Sequence, residues 1–123
     1  MDDKYQQMQM MDYQIKQLQK VIENIDAQLV EINNTIEALT EFAKVNNNEE
    51  ILFPVANGIF AKGKLTDNKL LRINIGSNVV VEKDVTDTVK MMEIQSGDIQ
   101  SYRIEVMTQL QSIIDKMNQL QGE

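Results

Sequence analysis

Hydrophobic residues divide the chain into three blocks. In the first, residues 3–46, apolar side chains recur at alternating spacings of three and four, uninterrupted by glycine or proline. The repeating positions are Met8, Met11, Ile15, Leu18, Ile22, Ile25, Leu29, Ile32, Ile36 and Leu39. A heptad seam of this length predicts one long coiled-coil helix. We expect the run of asparagines at 46–48 to end it, because asparagine favours turns over helix continuation.

In the second block, residues 51–83, the hydrophobic period changes to 2, which predicts four short β-strands. Asn57-Gly58 and Gly76-Ser77-Asn78 favour hairpin turns, because their residues tolerate positive φ. Residues 66–68 are expected to link the two hairpins. Pro54 has no N–H to donate, which indicates an edge position or a β-bulge.

The third block, residues 84–122, is expected to form a second helix. Its seam consists of Val85, Val89, Met92, Ile99, Val106, Leu110, Ile113, Met117 and Leu120. Ser96 and Arg103 interrupt that seam, and Gly97 weakens the helix by about 1 kcal/mol relative to alanine. We therefore predict local fraying or a stutter in this region.

The predicted fold is α+β, a long antiparallel two-helix coiled coil with the two hairpins at its closed end. Only antiparallel helices can bury both seams within one chain, and partners then share a constant sum of residue numbers. A sum of 128 leaves the helix ends nearly flush, and a register slipped by one heptad is the alternative. This register sets Ile25 against Arg103 and Ile32 against Ser96.

The predicted strands carry apolar residues on both faces, which a two-helix rod cannot cover. Isolated hairpins are marginal in water, and their unpaired edges invite association. We infer that the hairpins assemble with copies or relatives of the chain into a larger sheet or barrel. The residues expected at that interface are Phe53, Val55, Ile59, Phe60, Leu65, Leu71, Ile73, Ile75, Val79 and Val81.

Composition removes several classes of function. The chain has no histidine or cysteine, which excludes the commonest nucleophilic triads, zinc fingers and disulfide frameworks. A net charge of −7 with six Phe and Tyr residues argues against nucleic-acid binding. No apolar run suits a membrane span, and the N-terminus has no secretory pattern. We expect a cytoplasmic protein that is not an enzyme and needs no metal or cofactor.

Residues 58–64 fit the G-x-x-x-x-G-K half of a phosphate-binding loop. Leu65 stands where a magnesium-binding Ser or Thr is needed, and the segment alternates as a strand. No helix follows to present its N-terminus to phosphate. We therefore reject nucleotide binding.

The strand segments resemble the prefoldin family, specifically archaeal-type α-class subunits, which have two hairpins. The matching segments are residues 53–55, Gly58, Phe60, residues 63–65, residues 73–76 and residues 79–83. Many relatives have glycine where this chain has Asn78, and asparagine also accepts the left-handed conformation. The resemblance implies a hexamer of two α and four β subunits, with a β-barrel hub and six coiled-coil tentacles. It also implies ATP-independent capture of unfolded proteins and delivery to a group II chaperonin.

Apolar side chains near the expected tentacle tips are the candidate client-binding site. Taking Met8 as heptad position a, Met10 and Tyr13 fall at c and f, away from the seam. Met107 and Ile114 fall at e on the second helix. Methionine adapts to varied apolar surfaces, which suits a binder with no single client. The full set is Met1, Tyr5, Met8, Met10, Met11, Tyr13, Met107, Ile114, Met117 and Leu120.

Two alternatives remain beside this interpretation. The seam methionines Met8, Met11 and Met117 are more simply core residues that contact clients only where the tip frays. The whole chain is alternatively a structural scaffold or tether without chaperone activity, which explains the heptads equally well. The scaffold hypothesis does not explain the two hairpins or the off-seam Met and Tyr residues near the open end.

Overall fold

The computed structural model describes residues 2–122, with the side chain of residue 2 left aside. Its elements, in chain order, are α1 (Asp2–Phe42), β1 (Glu50–Ala56), β2 (Ile59–Lys64), β3 (Leu70–Gly76), β4 (Val79–Asp84) and α2 (Val85–Gly122). Two long helices with two antiparallel hairpins confirm the predicted α+β class. The chain divides into two compact units, the coiled-coil unit (Met1–Ile32 and Gln95–Glu123) and the hairpin unit (Asn33–Ile94).

The core of the coiled-coil unit is the heptad seam. Ile25, Ile32, Val106 and Leu110 are buried, with Ile25 and Val106 only 3% exposed. The other apolar seam residues of this unit are half-buried, because two helices cover only one stripe of each other. Stability of this unit therefore depends on a few buried side chains.

Of the two alternatives predicted near Ser96, fraying is wrong, since α2 continues unbroken through it, and a stutter stays a prediction. Ser96 is buried, and its Oγ accepts a hydrogen bond from Gln100 Nε2 at 3.2 Å. The small hydroxyl therefore fits inside the seam without exposing it. Gly97 is also helical, and a Cβ built on it would meet nothing within 4 Å.

Arg103 keeps its charge outside the seam by bonding to the other helix. Its Nε donates to Asp26 Oδ1 at 2.7 Å, and its Nη2 donates to Asp26 Oδ2 at 3.3 Å. This bidentate pair lowers the pKa of Asp26 and raises that of Arg103, mainly through the side-chain hydrogen bond. Because Asp26 adjoins the buried Ile25, the pair is consistent with the register that set Ile25 against Arg103.

We expect Asp26→Asn to lower Tm at pH 7 by a small amount that disappears in acid. The folded-state pKa of Asp26 lies below its ordinary value of about 3.8. The pair's contribution is therefore present above that pH and is lost as the pH falls through the folded-state pKa. Circular dichroism melts of both proteins between pH 7 and pH 2 measure this.

The matched control is Asp12→Asn, which removes an exposed ion pair with Lys16 inside α1 and leaves the helix pairing intact. A Tm difference between Asp26→Asn and the original chain that stays constant down to pH 2 would contradict the assignment.

Helix α1 ends at Phe42, whereas the sequence predicted helix to residue 46. The Ala43 amide still donates to the Leu39 carbonyl, but the Lys44 and Val45 amides donate three residues back. The chain has therefore tightened into a 3₁₀-type turn before it reaches the asparagines. Asn48 then adopts a φ of 67°, which turns the chain toward β1.

The hairpin unit contains two separate two-stranded antiparallel sheets, β1–β2 and β3–β4. Gly58 has a φ of 74°, and Ser77 and Asn78 have φ values of 51° and 63°, so both predicted turns are present. The β1–β2 register shifts between Pro54 and Ala56, which is the bulge that proline indicated. A similar shift in β3 lies just before the second turn.

The segment after α1 is hydrogen-bonded to the link between the hairpins. The Asn48 amide donates to the Leu65 carbonyl at 2.6 Å, and the Leu65 amide donates to the Glu49 carbonyl at 3.1 Å. Asn68 Nδ2 donates to the Val45 carbonyl at 2.8 Å. These bonds tie the base of each hairpin to the end of α1.

Candidate functional site

Three exposed side chains on the first turns of α1 form the tip cluster: Tyr5, Met10 and Tyr13. Each is more than 60% exposed, and Met10 is 65% exposed. Gln9 Nε2 donates to the Tyr5 hydroxyl at 3.0 Å, so the polar end of that ring is occupied while its apolar body faces solvent. The tip cluster therefore offers large apolar surface that the chain itself does not cover.

A shallow trough between the two helices begins beside the tip cluster. One section, of about 370 Å³, has Met10, Met11 and Leu120 as its apolar lining, with Lys116 at its edge. The adjoining section, of about 360 Å³, is lined by Tyr13, Leu18 and Ile113 among others. The remaining lining residues are glutamines: Gln7, Gln14, Gln17, Gln109 and Gln119. Apolar contacts flanked by neutral amides can bind varied polypeptides without charge selection.

The structure separates the other predicted tip residues into two groups. Met107 is exposed, but it lines a depression with Ile104 and Thr108, whereas Met10 lines the trough with Leu120. The half-buried members are Met8, Met11, Ile114, Met117 and Leu120. Ile114 was predicted to be exposed, and the structure shows it half-buried. Met1 lies outside the described residues.

Sequence analysis missed several exposed apolar residues on the outer helix surfaces. They are Val30 on α1 and Met91, Ile94, Tyr102 and Ile104 on α2. Their signal in the sequence is an apolar residue off the seam. Ile104 is 67% exposed, as much as Met10, although it lies away from the tip cluster.

Within the described residues, no group of three or more acidic side chains is arranged to hold a metal ion. Neither α1 nor α2, over their described lengths, combines the length and apolarity of a membrane span.

The strands form a second candidate surface, the hairpin surface. Its exposed members from the predicted interface are Phe53, Val55, Ile59, Phe60, Ile75 and Val79. Leu65, Leu71, Ile73 and Val81 are half-buried within the unit. Leu52, Leu70 and Val80 are also exposed, and were left out of the predicted interface.

Gly63 determines how one member of the hairpin surface packs. A Cβ built on Gly63 would collide with the Phe53 ring. The ring therefore lies on the β2 backbone at Gly63, two residues along β2 from Ala61, the cross-strand partner of Phe53. This contact leaves Phe53 42% exposed. It also explains the glycine in β2, because a Cβ at position 63 would displace the ring.

The family model described as prefoldin subunit matches residues 11–123. Prefoldin subunit alpha from Methanococcus aeolicus is 30% identical over 89 residues, which cover 72% of this chain but only 60% of that protein. Prefoldin subunit alpha from Archaeoglobus fulgidus is 23% identical over 121 residues, covering 98% of this chain and 88% of that protein.

Among solved structures, a chain of the filamentous prefoldin from Methanocaldococcus jannaschii, determined by cryo-electron microscopy, superposes with a TM-score of 0.79. The two chains are 17% identical, and the match covers 96% of this chain and 98% of the other. At this identity the likeness is one of fold.

Proposed function

Because the chain belongs to the prefoldin family of chaperone-type subunits, we propose that it captures non-native polypeptides without ATP and delivers them to a group II chaperonin. The tip cluster and the trough beside it are the proposed capture site. The observation that carries this proposal is the exposure of Tyr5, Met10 and Tyr13 on a helix whose seam is already covered. A non-native polypeptide can therefore contact these side chains without any unfolding of the coiled coil.

One capture site of this size binds weakly. Burying a Met or Leu side chain contributes about 1.5–3 kcal/mol, whereas association costs about 4–15 kcal/mol. A tip with three or four anchors therefore releases its client readily. Several linked subunits raise the effective concentration for each later contact, so an assembly can hold a client that no single tip retains.

The hairpin surface is the proposed site of that assembly. We propose that it joins prefoldin β subunits in a hexamer of two α and four β chains, built around a β-barrel. The exposed apolar residues on both strand pairs support this proposal, since two-stranded sheets need further partners in water. The assembly is proposed to act in the cytoplasm.

We expect the triple variant Tyr5→Ser, Met10→Ser, Tyr13→Ser to lose most of its ability to suppress aggregation of a denatured client. All three side chains are exposed, so the change removes binding surface without opening the core. Light scattering of a denatured protein diluted into the assembled complex, without nucleotide, measures the effect. Size-exclusion chromatography checks that the assembly is intact.

The matched control is Val30→Ser, Ile94→Ser, Tyr102→Ser, which removes an equal number of exposed apolar groups outside the tip cluster. This variant is expected to suppress aggregation as the original chain does. Unchanged suppression by the tip variant would refute the capture site. An assembled original complex that suppresses no aggregation would favour the scaffold alternative.

A further inference from the structure

All of the sulfur in this chain is methionine sulfur, since the sequence has eight methionines and no cysteine. Peroxides oxidise the methionine thioether to a sulfoxide, which replaces a flexible apolar group with a polar one. Where the side chain contacts other molecules through its apolar surface, oxidation weakens that contact. The exposure of each methionine determines which of them an oxidant reaches first.

The structure separates the described methionines by exposure. Met10 is 65% exposed, and Met91 and Met107 are 43% and 42% exposed. Oxidation of an exposed methionine leaves the helix pairing intact, whereas oxidation of a seam methionine places a polar oxygen in the core. The half-buried methionines all belong to the predicted seam: Met8, Met11, Met92 and Met117.

Of the three exposed methionines, Met10 is the one that belongs to the proposed capture site. It is a member of the tip cluster, and it lines the trough together with Met11 and Leu120. Because Met10 lies off the seam, its sulfoxide removes no contact that holds the two helices together. Oxidation at this position can therefore change client binding without unfolding the coiled coil.

Met91 and Met107 differ in what their sulfur atoms contact, although their exposure is almost equal. Lys83 Nζ donates a hydrogen bond to Met91 Sδ at 3.3 Å. Oxidation uses a lone pair of the sulfur, and the hydrogen bond from the ammonium group makes that lone pair a weaker nucleophile. We therefore expect peroxide to oxidise Met10 first and Met107 before Met91.

We propose that Met10 is an oxidation site, and that its conversion to the sulfoxide by hydrogen peroxide weakens client capture at the tip. The proposal rests on the proposed function of the tip cluster. The Met10 sulfur attacks one oxygen of the peroxide, so that a sulfur–oxygen bond forms while the oxygen–oxygen bond breaks. The departing oxygen takes up the proton of the transferred oxygen and leaves as water. The sulfur loses two electrons, and the peroxide gains them.

The change at Met10 is reversible by a methionine sulfoxide reductase, which uses two thiols and releases a disulfide and water. While the sulfoxide is present, the tip cluster has lost one of its three apolar anchors. We expect such a tip to bind a denatured client about tenfold more weakly. The concentration of complex needed for half-maximal suppression of aggregation should rise by a similar factor.

The test treats the full chain with hydrogen peroxide, removes the peroxide with catalase, and then adds an untreated β-class subunit. Mass spectrometry of proteolytic peptides follows oxygen uptake at each methionine. Light scattering of a denatured client, without nucleotide, measures suppression, and circular dichroism measures Tm. At the stage when Met10 is oxidised and the seam methionines are not, we expect suppression to weaken about tenfold with Tm unchanged. Sulfoxide reductase with dithiothreitol should restore it.

Met10→Leu keeps an apolar side chain of similar volume and removes the sulfur. This variant is expected to suppress aggregation as the original chain does, both before and after peroxide treatment. The matched control is Met107→Leu, which removes an exposed sulfur outside the capture site and should leave the chain sensitive to peroxide. Met1 is present in all of these chains, so its oxidation does not distinguish them.

Equal sensitivity of Met10→Leu and the original chain would overturn the proposal, as would unchanged suppression by a chain whose Met10 is oxidised. Weakening that appears only when the seam methionines oxidise and Tm falls would also overturn it, because unfolding would then be the cause. In each of these cases the chaperone activity stands. An untreated assembly that suppresses no aggregation would refute the proposed function and this inference together, and that result is read before any peroxide is added.

Discussion

Ile25→Ala is expected to lower the free energy of unfolding by about 2–5 kcal/mol, the usual cost of truncating a buried isoleucine. Ile25 is 3% exposed, and no other α1 side chain is more deeply buried in the described residues. A seam between two helices has few fully buried residues, so this one loss is a large part of the coiled-coil unit's stability. Urea titrations followed by circular dichroism measure the change.

Val30→Ala provides the matched control for that measurement. Val30 lies on the same helix and is 59% exposed, so its truncation is expected to change stability by no more than about 0.5 kcal/mol. Comparable destabilisation by the two substitutions would mean that the seam is not the core of this unit.

The triple variant Ile59→Ser, Phe60→Ser, Ile75→Ser is expected to abolish assembly while the chain itself stays folded. All three side chains are exposed on the hairpin unit, so their loss opens no cavity there. If assembly buries them, each contributes about 1.5–3 kcal/mol, and losing three weakens subunit association by orders of magnitude. Light scattering of the chain mixed with a β-class partner should then report mass near the 14.1 kDa single chain.

The control for assembly replaces two polar residues of the same strands, Lys62→Ser and Arg72→Ser. Both take part only in exposed, long ion pairs, with Glu50 at 3.8 Å and with Glu82 at 3.6 Å. Such pairs contribute little, so the control should assemble normally. A full-size complex formed by the triple variant would remove the hairpin surface from the interface.

Much of the secondary structure is predictable because its signals are local. Period 3.5 predicted both helices, period 2 predicted the strands, and Gly58, Ser77 and Asn78 adopt the positive φ that the turns require. The end of α1 was less predictable. The preference of asparagine for turns suggested residue 46. The amides of Lys44 and Val45, however, already donate to the carbonyl three residues back instead of four.

The fraying predicted at Ser96 and Arg103 shows that the seam pattern alone is not sufficient. A polar residue at a seam position is destabilising only if its polar group is left unpaired. Gln100 pairs with Ser96 along the same helix, and Asp26 pairs with Arg103 from 77 positions away. Gln100 is four residues from Ser96, close enough for a local sequence pattern to indicate the pairing, whereas Asp26 is too far from Arg103 in the sequence.

The candidate client-binding residues were likewise only partly predictable from the sequence. Heptad position indicates that Met10 and Tyr13 lie off the seam, and both side chains are exposed. It does not distinguish Met107, which is exposed, from Ile114, which is half-buried at an equivalent heptad position. The exposure of a residue that flanks the seam is therefore not determined by its heptad position.

Periodicity and backbone preference, both properties of neighbouring residues, were sufficient to determine the helices, the strands, the hairpin turns and the seam of this protein. Contacts between side chains that are separated in the sequence decided the rest: the pairing of Arg103 with Asp26, the packing of the Phe53 ring on Gly63, and which flanking residues, such as Ile104, stay exposed. These depend on which surfaces meet when the chain folds, and burial of one apolar face leaves another open to solvent.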